Sequence, residues 1–180
     1  SRSIELGLYL PVSVTPQGSS SLAGAKFRLK WLPLQTQDGV GPFAGVNAEL
    51  SRLAPRYAVP RSNFEARFIA GWRSEEWLVS ANPIFDFGLS DGANARRPDF
   101  NVGVKAGRRV EQGLMAGLEY YASPTVGGAR APWQLQDHKL FLALDVDRAP
   151  WVFNVAIGRG LTSSSDRWTA KAIFEVPFSQ

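Results

Sequence analysis

The chain has no cysteine, one histidine and one methionine among its 180 residues. Without cysteine there is no disulfide scaffold, no thiolate metal site and no cysteine nucleophile. A single histidine, His138, leaves no basis for a multi-histidine zinc site and little for a conventional catalytic triad. No stretch approaches the ~20 consecutive apolar residues of a transmembrane helix. Charge is sparse and nearly balanced, 20 basic against 16 acidic residues. No basic run exceeds two residues, so the electrostatic footprint of a nucleic-acid binder is missing. No apolar signal segment follows Ser1-Arg2-Ser3, which fits either a cytosolic chain or a mature, trimmed one. Against these absences stand 6 Trp, 11 Phe and 17 Gly in a chain that is 44% hydrophobic.

Those residues are arranged with period two, the signature of half-buried strands. Ile4, Leu6, Leu8, Leu10, Val12 and Val14 share one face, with Glu5, Gly7 and Tyr9 on the other. Nine further segments repeat the pattern, around residues 26–31, 44–51, 64–73, 77–88, 100–107, 114–121, 139–147, 151–158 and 168–178. Ten strands and no helix are therefore expected. Short connections at Gln37-Asp38-Gly39, Ser74-Glu75-Glu76, Glu111-Gln112-Gly113 and 147–150 alternate with longer ones. In a meander, every short turn then falls at one end and every long loop at the other. That is the plan of a transmembrane antiparallel up-and-down β-barrel with short periplasmic turns and both termini periplasmic. Residues 1–180 read as one such domain.

A water-soluble barrel also alternates, and two features separate the alternatives. Gly7, Gly45, Gly71, Gly88, Gly103, Gly107, Gly117 and Gly158 lie on the polar face. There they make room in a narrow interior for the long side chains opposite. Trp31, Trp72, Trp77 and Trp151, with Phe43, Phe174 and Phe178, sit near the short turns, and Trp168 sits near the long loops. Aromatic girdles flanking an aliphatic band belong to a lipid-facing surface. Turning the second strand over would put Lys26, Arg28 and Lys30 against lipid, at roughly 2–4 kcal/mol each at the midplane. The expected home is the bacterial outer membrane, with its lipid and lipopolysaccharide as surroundings.

Three stretches carry a family resemblance: Trp77-Leu78-Val79-Ser80-Ala81-Asn82-Pro83-Ile84-Phe85-Asp86, Gly117-Leu118-Glu119-Tyr120-Tyr121, and Gly158-Arg159-Gly160-Leu161-Thr162 leading to Ser165-Asp166-Arg167-Trp168. Over residues 25–178 the chain resembles an uncharacterised family of proteobacterial outer-membrane β-barrel proteins. The resemblance implies the barrel and its compartment, and no activity. Members of that family are longer at the N-terminus; a missing N-terminal pair of strands would make twelve. Ile173-Phe174-Glu175-Val176-Pro177-Phe178 also resembles the aromatic-ended C-terminal signal of outer-membrane proteins, with Ser179 and Gln180 beyond it.

The inward set lining a lumen or solute pathway is Lys26, Arg28, Lys30, Asn47, Glu49, Glu65, Arg67, Asn82, Asp86, Asn101, Lys105, Glu119, Tyr121, Lys139, Asp145, Asp147, Asn154, Lys171 and Glu175, with Arg73 beside them. Buried charges persist when paired or hydrated. A narrow channel or solute-binding barrel is the function these residues favour, with small anions as solutes given the basic second strand. A structural or assembly subunit of a larger envelope complex, with a plugged lumen, is the alternative. A rim hydrolase is the least favoured reading; it would need His138 with Asp137 and a hydroxyl from Ser163, Ser164 or Ser165. Asp145 and Asp147 share a face, but lysines opposite are better partners for them than a metal. No cofactor, metal or nucleic acid is expected.

Overall fold

The computed structural model describes residues 4–14, 20–35, 39–57, 60–92, 97–148 and 151–175, without the side chains of residues 13, 14, 151 and 175. In chain order the strands are β1 (Ile4–Tyr9), β2 (Val12–Val14), β3 (Ser20–Leu22), β4 (Gly24–Leu34), β5 (Gly41–Leu53), β6 (Ser62–Arg73), β7 (Trp77–Gly88), β8 (Asp99–Glu111), β9 (Leu114–Ser123), β10 (Thr125–Val126), β11 (Ala129–Arg130), β12 (Asp137–Arg148), β13 (Trp151–Gly160) and β14 (Trp168–Glu175). A single 3-10 turn, Trp133–Leu135, precedes β12, and there is no α-helix among the described residues.

Ten strands form one antiparallel sheet in the order β1-β4-β5-β6-β7-β8-β9-β12-β13-β14. The cross-strand register keeps like with like. Phe27 faces Leu50, Leu29 faces Ala48 and Trp31 faces Val46, while Arg28 faces Glu49 and Lys30 faces Asn47. Because side chains alternate across a strand, a one-residue slip would reverse every one of these placements. The ten alternating segments read from the sequence are the ten strands of this sheet.

Three details differ from the expectation. The first segment does not run to Val14: it breaks at Leu10-Pro11, where proline has no N–H for the ladder. Its remainder pairs in a separate hairpin with β3, with Val12 opposite Leu22. The connection from Ser123 to Asp137 is not a bare loop; it holds a second hairpin of β10 and β11, turned by Gly127 and Gly128 at φ +60° and +74°. The third difference concerns closure. β1 and β14 are the edges of the sheet and are not hydrogen-bonded to each other, so the sheet is not a closed barrel among the described residues. Gln37, Asp38, Ala149, Pro150, Val176, Pro177 and Phe178 lie outside the described residues.

The sheet nevertheless curls strongly. Lys171 on β14 bonds to Glu119 on β9, three strands away. On a flat sheet their backbones would lie ~14 Å apart at ~4.8 Å per strand. Lys105 on β8 reaches across β9 to Asp145 on β12 at 2.7 Å. Both bonds lie on the polar face, so that face is concave and the apolar face convex. Glycines permit the inward crowding. A Cβ at Gly158 would meet the Phe141 ring at 2.5 Å, and one at Gly71 would collide with the Phe43 ring. Gly113 ends a two-residue turn at φ +70° and lies against the Asp147 carbonyl, 2.5 Å from where a Cβ would stand. Prolines interrupt the ladder locally. A bulge shifts the β4–β5 register between Trp31 and Leu34, around Pro33. Around Pro83 the β6–β7 pairing skips from Arg67–Ile84 to Ala70–Ala81.

Gly158→Ala should lower stability by ~1–3 kcal/mol through overpacking against Phe141. Gly103→Ala, whose Cβ would stand 3.2 Å from the Tyr121 ring, should cost less. Urea midpoints of the refolded proteins check the order.

Candidate functional site

The concave face carries the described inward residues, and it divides into two electrostatic regions. Over β8, β9 and β12–β14 the centre is Glu119, 3% exposed. Lys105 approaches its Oε1 at 3.1 Å, the Tyr121 hydroxyl donates to Oε2 at 2.8 Å, and Lys171 donates to Oε2. Asn154 donates through Nδ2 to Asp145 at 2.8 Å and to Glu119 at 3.2 Å. Two lysines against Glu119 and Asp145 make this cluster neutral. The Lys171 ammonium also lies 5.3 Å from the Tyr121 ring centre and 5.8 Å from that of Phe141. The register explains the gathering: Lys105 is opposite Glu119 across the β8–β9 ladder, and Asp145 is opposite Asn154 across β12–β13.

Over β4–β7 the balance is different. Lys26 bonds to Glu49 at 2.9 Å and Arg67 to Glu65 at 2.9 Å. Arg28 and Lys30 share one carboxylate, Glu5, at 3.1 Å each. Toward the short turns a cavity of about 380 Å³ opens among Arg28, Lys30, Asn47, Arg67, Arg73 and Asn82. At the opposite end, about 520 Å³ of open space is lined by Asn63, Asp86, Arg97, Asp99 and Asn101, where Asn101 donates to Asp86 at 2.6 Å. Asp147 stands at the short-turn end, with Asp145, Lys105 and Arg109 around a third space of about 460 Å³. Lys139 bonds to Asp137 at 3.0 Å and Asp166 at 3.2 Å near the long loops. The Glu175 side chain lies outside the described residues.

Sequence reasoning passed over two contributors. Glu5 was legible as an inward residue, and pairing β1 with β4 sets it opposite Lys30. Phe43 was expected in the turn-side girdle, but it has the parity of Asn47 and lines the concave cavity over Gly71.

The convex face is apolar through its middle. Trp31, Trp72, Trp77, Trp168 and Phe174 are all exposed there; the Trp151 side chain and Phe178 lie outside the described residues. The charged residues on this face, Arg52, Arg108, Arg148 and Arg159, stand at strand ends, as does Glu111, opposite Leu114 and paired with Arg148 at 2.9 Å. Arg108 lies over Trp77 with 5.4 Å to the ring centre, and Arg159 over Trp168 with 5.0 Å.

His138 also has convex-face parity, opposite Ala122, yet it is buried because the outer segment folds over it. The Trp133 ring lies 4.1 Å from its ring centre to centre. Gln136 donates its amide N–H to the Ala131 carbonyl at 2.7 Å, which leaves Oε1 to accept from His138 Nε2 at 2.8 Å. The Tyr120 hydroxyl is 2.6 Å from Nδ1. Ser165 uses its Oγ on the His138 backbone, accepting from N–H at 2.8 Å and donating to C=O at 3.0 Å. Ser163 bonds to the Gln134 carbonyl, and Asp137 is taken by Lys139. Among the described residues no serine or aspartate side chain bonds the His138 ring, the contact a rim hydrolase would need; the ring fastens the outer segment to the rim.

A second fastening joins two other long loops. Asp91, at φ +56°, accepts from the Arg61 backbone N–H at 2.7 Å and from Arg61 Nε at 2.9 Å. The Ser90 hydroxyl donating to Asp91 at 2.6 Å, and then the Arg61 N–H, hold this carboxyl below its usual range.

No family model, no curated protein and no solved structure matches the chain.

Glu119→Gln removes the charge that balances Lys105 and Lys171, and should destabilise the protein by about 3 kcal/mol, read from denaturant unfolding. For Asp91 the sign follows from a lowered folded-state pKa. The loop clamp is fully present above the ordinary aspartate value of ~3.9 and is lost as pH falls through the lower, folded value. Hydrogen exchange at the Arg61 amide, corrected for intrinsic rates, should keep its protection down to about pH 4 and lose it below.

Proposed function

We propose that the chain is an integral β-barrel protein of a bacterial outer membrane whose polar concave face forms a narrow passage for small solutes. The observation that carries this reading is the inverted distribution of polarity. Asn47, Ser51 and Glu119 are buried, while Ile4, Leu6, Leu8, Phe27, Leu29 and Trp31 stand side by side on β1 and β4 at 41–69% exposure. Soluble monomers rarely expose an apolar patch beyond a few hundred Å², and lipid removes the conflict. Strand length agrees. The 12 residues of β6 extend ~41 Å, or about 31 Å when tilted by ~40° as transmembrane strands are. Arginine at the strand ends, beside tryptophan, matches the depth dependence of charge on a lipid-facing strand. In this reading the edges β1 and β14 are satisfied by each other or by further strands, since lipid tolerates no open sheet edge. The family resemblance noted above points to the same compartment.

Four cations facing the cavity between β4 and β7 favour small anions as solutes. A second reading has its own observation. The neutral Glu119 cluster fills the middle of the concave face of β8–β14 with side chains, leaving open space beside Asp147, and such filling is what a structural or assembly subunit with a plugged lumen would require.

Reconstitution into planar bilayers separates the two readings. A passage should give a stable, anion-selective conductance that Arg67→Glu shifts toward cations, whereas stable insertion without current favours the plugged subunit. A chain that is monomeric and soluble without detergent overturns both. Leu142, on the convex face at mid-strand and 63% exposed, supplies the membrane test. Leu142→Arg should weaken folding into liposomes by roughly 2–4 kcal/mol; a water-facing residue would be nearly indifferent to the change.

A further inference from the structure

The cavity between β4 and β7 is built for more than hydration. Arg28, Lys30, Arg67 and Arg73 line it, and the carboxylates bonded to them are Glu5 and Glu65. Neither carboxylate lines the space, and among the described residues four cations against two carboxylates leave two positive charges uncompensated. Arg73 has no ion-pair partner among the described residues.

Polar atoms there also lack partners. Asn47 is 5% exposed, and its Oδ1 has no hydrogen bond. The same holds for Asn82 Oδ1 and Arg28 Nε, both buried atoms of residues lining the cavity. Buried polar groups in folded proteins are nearly always satisfied, and an exception calls for an explanation. Orphan carbonyl oxygens need donors, which an inorganic anion alone does not supply. Hydroxyl groups do. The remaining wall includes Gln35 and Ser80, but Phe43, Ile69 and Leu78 also face the cavity and offer contact to the carbon skeleton of a small molecule. About 380 Å³ is within the ~300–1,000 Å³ of small-molecule sites.

We propose that this cavity binds a phosphorylated sugar. Its phosphate dianion meets the two uncompensated charges, Arg73 and Arg67 being the cations best placed to fork onto its oxygens. Its hydroxyls donate to Asn47 and Asn82, and its ring lies against Phe43 and Leu78. The site depends on the polar concave face alone, so it stands whether or not the passage conducts.

Glucose 6-phosphate titrated calorimetrically into the folded, detergent-solubilised chain is the test, with inorganic phosphate and glucose as comparators. Glucose 6-phosphate should bind at least about tenfold more tightly than phosphate, and glucose should give no measurable binding. Arg73→Gln, at an exposed position without an ion pair, keeps the fold and should weaken binding by about tenfold or more. Asn47→Leu should abolish the preference for the sugar phosphate over phosphate. Equal affinity for phosphate and glucose 6-phosphate would mean an unspecific anion site and overturn the proposal. So would equal binding of glucose, no binding of the sugar phosphate at about 10 mM, or wild-type affinity in Arg73→Gln. Absence of current in bilayers bears on the passage and leaves this titration unaffected.

Discussion

Glu119 is the constraint around which the sheet takes its shape. One buried carboxylate holds lysines from β8 and β14, with β9, β12 and β13 lying between those two strands. Two cations cannot converge on it unless the sheet bends toward its polar side, and the apolar side must then face outward. Breaking a buried ion pair by removing one partner is costly, so curvature and charge burial sustain each other. The glycines under Phe141 and Phe43 belong to the same device: they lower the floor so that rings and lysines share a narrow interior.

Much of this was legible because a strand's parity is absolute. Once Lys26, Arg28 and Lys30 are assigned to one face, the register carries the assignment from strand to strand, and Lys105 meeting Glu119 follows. Other features depended on contacts between segments far apart in sequence. Alternation alone carried the first segment to Val14, whereas the strand ends at Tyr9, before Pro11. The β10–β11 hairpin had a readable signal in Gly127-Gly128, adjacent residues suited to positive φ between short extended pieces. The ring partners of His138 were not legible from alternation, because Trp133 and Gln136 reach it through a turn with no periodic pattern. Phe43 was grouped by its nearness to a turn when its parity already placed it inside.

The concave face thus contains two different solutions to burying charge. Around Glu119 the charges balance one another, although Asn154 Oδ1 has no hydrogen bond there either. Around Arg73 and Asn47 they do not among the described residues: net positive charge remains, and the Asn47 and Asn82 amide oxygens lack donors. A face compensated throughout would serve only as scaffold. The contrast between its halves is the physical reason to look for function on β4–β7 rather than on β9–β14.

The order of the strands has a kinetic consequence. Every ladder in the ten-stranded sheet joins strands that follow each other along the chain, separated at most by the small β2–β3 or β10–β11 hairpin, so hairpins can form locally without waiting for a distant segment. The Lys171–Glu119 bond is different, since it closes a loop of 52 residues. It can form only after β9, β12, β13 and β14 have aligned. That bond is placed to act as a late latch, converting a string of independently made hairpins into one cooperative unit.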